Sequence, residues 1–255
     1  MRKRSAFGSG IAAVAVVAAL HAAAQSPEPA AEVLTPDAER GQAVAVGASA
    51  PDQACMACHG VDGAGDAAAA FPRLAGQSFV YLATTLIDFA SGERPHEIMT
   101  PIAEALTRQE IIDVAAYYAT LTDTPFAPPS AETDAALLQR GGTIAALGLA
   151  PAGVQGCINC HGPDGGGLGY EYPAIGGQHA AYLAARLHAF KTAESVGDAQ
   201  AIMRGIASRL SDEDIAAVAA YYAALRPPPL AQDDIAELPP QLIDAFNDDD
   251  GEDAE

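Results

Sequence analysis

Cys55-Met56-Ala57-Cys58-His59 returns 102 residues later as Cys157-Ile158-Asn159-Cys160-His161. Two cysteines separated by two residues, with histidine directly after the second, form the attachment signature of c-type haem. Each thiol adds to one vinyl group of the porphyrin, and the adjoining histidine is then held beneath the iron as its proximal ligand. Zinc is the competing reading, but its ligand sets need further Cys or His at short range. Here each motif runs instead into glycine and then Asp-Gly, at Asp62-Gly63 and Asp164-Gly165. The chain has four cysteines, and two attachments use them all, leaving none for a disulfide. The expected cofactors are therefore two covalently bound haem c groups with their iron. Cys55, Cys58, Cys157 and Cys160 would attach them, with His59 and His161 as ligands.

Working outward from the motifs, the repetition continues. Arg40-Gly41 matches Arg140-Gly141, and Phe71-Pro72 through Gln77 matches Tyr172-Pro173 through Gln178. Tyr81-Leu82, Leu86 and Phe89 match Tyr182-Leu183, Leu187 and Phe190, and Ala116-Tyr117-Tyr118-Ala119 matches Ala220-Tyr221-Tyr222-Ala223. Such self-similarity marks a duplicated structural unit. Each copy reads as helical. The first helix is expected to take Thr35 as N-cap and stop near Gly47. A middle helix is expected over about Ser78–Phe89. The last opens on a capping box, Thr107-x-x-Glu110 or Ser211-x-x-Asp214, with Ile111, Val114, Ala115, Tyr118 and Leu121 as its apolar stripe. No alternating Val/Ile-rich run suggests a sheet, and the glycine-rich stretches near Gly63 and Gly165 lack the Gly-Lys-Ser/Thr of a phosphate loop. The expected fold class is all-α, with two tandem domains each wrapped around a haem. The expected boundaries are 35–121 and 131–226, joined by the proline-rich linker 122–130.

A sixth iron ligand follows by elimination. Of four methionines, Met1 is the initiator and Met56 lies inside an attachment motif. Met99 and Met203 remain, one per copy, each after an isoleucine and shortly before the final helix. A core methionine is the ordinary reading, but equivalent placement in both copies favours iron ligation by Met99 and Met203. His96, three residues before Met99, is a rival. His179 and His188 are weaker ones, because their counterparts are Ser78 and Ile87, and are expected to be surface or packing residues.

The ends of the chain differ in character. Residues 1–24 combine a basic start (Arg2, Lys3, Arg4), an uncharged apolar run and a small-residue cleavage site at Ala22-Ala23-Ala24, as in an export signal. A retained membrane anchor is the alternative. Residues 25–34 form a flexible lead-in, and 227–255 an acidic tail with ten acids and no Lys or Arg, of a composition that favours disorder. Its Leu242–Phe246 stretch is apolar enough for a short docking turn. The formal charge of −20 argues against nucleic acid and anionic membrane surfaces, and toward partners with basic patches.

Together, C-x-x-C-H-G-x-D-G, the proline, Gly-Gln, the Tyr-Leu helix, the methionine and the Tyr-Tyr helix resemble tandem class I cytochrome c domains, and the doubling resembles the cytochrome c4 family. The likeness covers about residues 35–226. It implies that Pro72 and Pro173 offer backbone carbonyls to the rings of His59 and His161, an arrangement that fixes ligand orientation. It also implies that Gly41 and Gly141 let the first helix cross close to the last, and that the haem domains pair. The implied function is a periplasmic, non-enzymatic one-electron carrier, running from a dehydrogenase or quinol-oxidising complex to a terminal oxidase or other acceptor. Its partners would be redox proteins, including membrane-bound ones, with no small-molecule substrate. A cytochrome subunit of a periplasmic dehydrogenase is the alternative, and a di-haem peroxidase a more distant one, since no acid–base pair recurs beside both methionines.

Haem attachment through four thioethers gives the first prediction. Holoprotein made with competent attachment machinery should keep two haems through denaturation, read as intact mass. A mass carrying one haem or none would contradict it.

Overall fold

The computed structural model describes residues 34–47, 54–128, 134–169, 172–192, 201–230, 240 and 242–243. The chain divides into Met1–Val33 and Leu34–Glu255, and every described residue lies in the second unit. The expected export signal, and all of the lead-in but Leu34, therefore lie outside the described residues, as do 129–130 at the end of the linker and 131–133 at the start of the expected second domain.

The first half contains α1 (Ala38–Ala45), α2 (Met56–His59), α3 (Phe79–Ala90), α4 (Met99–Glu104) and α5 (Arg108–Thr120). The second repeats them as α6 (Ala135–Leu147), α7 (Ile158–His161), α8 (Ala180–Thr192), α9 (Ile202–Ala207) and α10 (Asp212–Ala224). No strand occurs among the described residues, where β-pairing is limited to isolated bridges such as Asp66 with Phe71. The fold is all-α.

In each half the last helix is the hub: α1 and α3 pack on α5, and α6 and α8 on α10. Both last helices open on the expected capping boxes, Thr107 with Glu110 and Ser211 with Asp214. Burial on α5 is wider than the expected stripe, taking in every residue from Ile111 to Ala119, because neighbours wrap several of its faces. Leu121 lies just beyond, as the C-cap.

The crossing of first helix on last depends on glycine. A Cβ at Gly41 would sit 1.9 Å from the Asp113 carbonyl oxygen, and one at Gly141 would sit 2.1 Å from that of Ala217. The first helix begins later than expected, however. Asp37, not Thr35, is its N-cap, because the Asp37 carboxylate reaches the backbone N–H groups of Glu39 and Arg40. The neighbouring arginine then pins the crossing. Arg40 donates through Nε to Asp113 Oδ2 (2.8 Å) and through Nη2 to Oδ1 (2.9 Å). In the second half Arg140 finds a different acid, Asp214 of the capping box, at 2.7 Å.

Of the tail, 227–230, 240 and 242–243 are described, and the rest lies outside the described residues. Leu242 is fully buried and belongs to the first half's core with Phe79, Leu82, Ala83 and Ile112. Composition averaged over an acidic segment does not register one leucine that finds an apolar partner elsewhere in the chain.

Gly41→Ala should lower stability by about 2 kcal/mol or more, since backbone faces the new methyl and no side chain can swing away. Thermal unfolding followed by circular dichroism would show a reduced midpoint. An unchanged midpoint would mean that α1 does not cross α5 at this spacing.

Candidate haem sites

Each attachment motif is a single helical turn. Cys55 is the N-cap of α2, with Cys58 and His59 inside it, and Cys157 stands in the same relation to α7. Residues three and four apart share one side of a helix, so both thiols and the imidazole face the same way. The turn stops at Gly60, whose φ of +78° suits glycine, and the chain folds back under it. Gly65 N–H donates to the His59 carbonyl at 2.9 Å, as Gly167 does to His161. Asp62 and Asp164 brace these loops by accepting from the N–H groups of Ala64 and Gly166. A Cβ at Gly65 would lie 2.6 Å from the Pro72 carbonyl oxygen, so the glycine-rich loop is what allows proline to approach the histidine turn.

That approach sets the state of the histidines. His59 Nδ1 lies 3.0 Å from the carbonyl oxygen of Pro72, and His161 Nδ1 lies 2.9 Å from that of Pro173. A carbonyl only accepts, so each Nδ1 carries the proton and each Nε2 keeps its lone pair. Burial holds both imidazoles below their ordinary pKa, partly opposed by the proline carbonyls, so the neutral, metal-binding form prevails at neutral pH. Phe71 and Tyr172 stand beside the two rings at centroid separations of 6.2 and 6.3 Å.

The tyrosine pairs, to which the sequence assigned no chemistry, divide their roles. Tyr117 donates to the Val61 carbonyl at 2.9 Å. The Tyr118 hydroxyl is buried without a hydrogen-bond partner. Its counterpart Tyr222 faces the Cys157 thiol without making a regular hydrogen bond. Burial pushes the Tyr118 and Tyr222 hydroxyls and the Cys55 and Cys157 thiols to higher pKa. Unsatisfied buried hydroxyls are uncommon in finished interiors. Two at equivalent positions, beside the first cysteine of each motif, fit sites completed by a further group. In the first half, Leu74, Leu86 and Leu106 pack on the same cluster as Cys55 and supply an apolar wall suited to a porphyrin.

Met99 is the first residue of α4 and Met203 the second of α9, both half-buried. The rival histidines have other positions. His96 is exposed, and its Nδ1 accepts from Ile98 N–H and Met99 N–H, each at 3.2 Å. His188 is exposed near Asp212. His179 is buried, with Nε2 donating to the Ala64 carbonyl of the other half at 2.9 Å, so it joins the two halves.

The rest of the contact between the halves is reciprocal. Gln77 donates through Nε2 to the Ala174 carbonyl (2.8 Å) and accepts at Oε1 from Ala174 N–H (3.0 Å). Gln178 does the same to Arg73, at 2.9 Å both ways. Arg73 and Ala174 directly follow Pro72 and Pro173, so each glutamine grips the other half's backbone beside its histidine-orienting carbonyl. Arg73 also donates to the carbonyls of Thr124 and Pro125 and lies 4.4 Å above the Phe126 ring, and Arg94 donates to Tyr182 Oη at 2.9 Å. The repeated Gly-Gln was visible in the sequence, but nothing there said that each glutamine served the opposite copy.

Comparison with known proteins agrees with this construction. The cytochrome c family model matches residues 38–122 and again 146–225. The chain is 40% identical over 192 residues to a cytochrome c4 of Thiocapsa roseopersicina, spanning 74% of this chain and 93% of that one. It is 39% identical over 179 residues to a thiosulfate dehydrogenase electron acceptor of Thiomonas intermedia, spanning 69% and 82%. Among solved structures, a thiosulfate dehydrogenase of Marichromatium purpuratum superposes with a TM-score of 0.68 at 37% identity, over 74% of this chain and 40% of that chain. Cys55/Cys58 and Cys157/Cys160 are the attachment cysteines of two covalently bound haem c groups, and the chain belongs to the di-haem cytochrome c4 family.

Proposed function

We propose that this protein is a periplasmic one-electron carrier with both haem irons held between histidine and methionine. The observation that carries the reading is the doubled arrangement of a buried, neutral imidazole fixed through Nδ1, with a methionine at the head of a short helix in the same half. The haem supplies reversible one-electron exchange at its iron. The protein's own residues do the rest. Pro72 and Pro173 keep Nε2 of His59 and His161 free and aimed, which maintains the ligand in both redox states. Met99 and Met203 would supply the second iron ligand in each half, which would raise the potential and leave no coordination site open to substrate. The glutamine clamps hold the two halves as one unit, so an electron accepted by one half stays close to the other.

The donor this reading favours is a dehydrogenase. One relative is named as an electron acceptor of thiosulfate dehydrogenase, and part of a solved thiosulfate dehydrogenase has the same fold. That second similarity also supports the alternative of a cytochrome fixed to its dehydrogenase. Delivery would be to an oxidase or other acceptor. Residues 1–24 support export, and among the described residues no helix is long and apolar enough to cross a membrane. The strong negative charge favours partners with basic docking patches.

Two outcomes follow. Met99→Ala and Met203→Ala should each remove half of the far-red sulfur-to-iron absorption of the oxidised protein and lower the potential of the affected haem. Unchanged spectra in both would eliminate methionine ligation. Reduction by a basic partner dehydrogenase, followed by stopped flow, should slow by roughly 10-fold or more as ionic strength rises from low to about 0.5 M. A flat response would refute electrostatic steering. A dehydrogenase that copurifies with the cytochrome through high salt would favour the fixed-subunit alternative.

A further inference from the structure

One peptide group in each half is hydrogen-bonded at both ends, to partners that belong to different halves. The carbonyl of Pro72 accepts from His59 Nδ1 at 3.0 Å. The N–H of that same peptide is Arg73's, and it donates to Gln178 Oε1 of the second half at 2.9 Å. In the other direction, the Pro173 carbonyl accepts from His161 Nδ1 at 2.9 Å. The N–H of its peptide, on Ala174, donates to Gln77 Oε1 of the first half at 3.0 Å. Both glutamines are buried and held at each end of the amide. Their Nε2 groups donate to the Ala174 and Arg73 carbonyls at 2.8 and 2.9 Å. Each Oε1 also accepts from the N–H of the following residue, Ser78 or His179, at 2.9 and 3.0 Å.

Peptide resonance couples the two ends of such a group. An N–H that donates leaves more negative charge on its carbonyl oxygen, which then accepts more strongly. A stronger acceptor at Nδ1 makes the imidazole a more basic ligand, and a more basic ligand favours oxidised iron. The glutamines stand where they strengthen the acceptor of the opposite half. We infer that Gln178 is a positioning residue for His59 that holds down the potential of the first haem, and that Gln77 does the same for His161 and the second. Each half thus sets the ligand strength of the other. This rests on the iron ligation by His59 and His161 proposed above.

The test is potentiometry and NMR on full-length holoprotein, with the haems told apart by their thioether contacts to Cys55 and Cys58 or to Cys157 and Cys160. In the reduced wild type, ligated imidazoles have ring protons displaced strongly upfield by the haem. If those of His59 and His161 are not displaced, the ligation reading fails, and this inference with it, before any variant is made. With ligation present, Gln178→Met, which fills similar space without the amide, should raise the potential of the first haem alone. The expected shift is about twofold in its oxidised-to-reduced ratio, or about 20 mV at 59 mV per tenfold. Exchange of the His59 Nδ1 proton should quicken about twofold, with that of His161 unchanged. Gln77→Met should give the mirror result at the second haem and His161. Gln178→Glu and Gln77→Glu keep the accepting oxygen and lose only the donor, so each should leave the opposite haem's potential at or below its wild-type value. These two variants also decide the matter if Gln178→Met or Gln77→Met does not fold. A glutamine that merely tied the halves together would, on removal, move both haems or the haem of its own half. Either pattern, unmoved potentials in both Gln→Met variants, or a raised opposite potential in the Gln→Glu variants would overturn the inference.

Discussion

A buried imidazole must have its second nitrogen satisfied, and much of this protein is arranged around that requirement. The hydrogen bonds from Nδ1 of His59 and His161 to Pro72 and Pro173 span only 3.0 and 2.9 Å, and they exist because glycine-rich loops let a proline carbonyl come beneath a one-turn helix. Proline is suited to this place, since it lacks an N–H but retains its carbonyl. The same bond decides tautomer, ring orientation and charge together, so one contact leaves each Nε2 with its lone pair and a fixed direction.

The constraint extends into the quaternary-like contact between halves. Arg73 and Ala174, the residues after the two prolines, have their N–H and carbonyl groups filled by glutamine amides of the opposite half. A side-chain amide thus takes the place of a neighbouring strand. Because these backbone groups lie beside the orienting carbonyls, association of the halves and orientation of the His59 and His161 rings are mechanically linked. His179 adds a buried bond to Ala64 in the first half's loop, and Arg94 reaches Tyr182 from the other side.

Duplication of sequence has not kept duplication of detail. Arg40 and Arg140 are equivalent, yet Arg40 pairs with Asp113 and Arg140 with Asp214, one turn apart on the last helix. Leu242 completes the core of the first half, whereas α8 in the second has no fully buried residue. These asymmetries give the two haem domains different surroundings in a chain whose motifs are nearly identical.

The sequence by itself determined the all-α class, the doubling and the chemistry of attachment, because covalent spacing and helical periodicity are local and survive without knowledge of the fold. C-x-x-C-H fixes three groups on one turn, and the capping boxes at Thr107 and Ser211 are complete within four residues. What only the tertiary structure decided involves partners distant along the chain. Gln77 and Gln178 read as a repeated dipeptide until they are seen gripping each other's half. His179 read as a surface or packing residue, and Leu242 as the start of a short docking turn whose partner the sequence did not name. The cap of α1 moved from Thr35 to Asp37 because local preference allowed both, and the Arg40–Asp113 contact, with Asp37 N–H donating to the same carboxylate, favours the second. Periodicity records which face of a helix is apolar. It carries no information on which distant backbone will be left with a bare N–H for a side chain to fill.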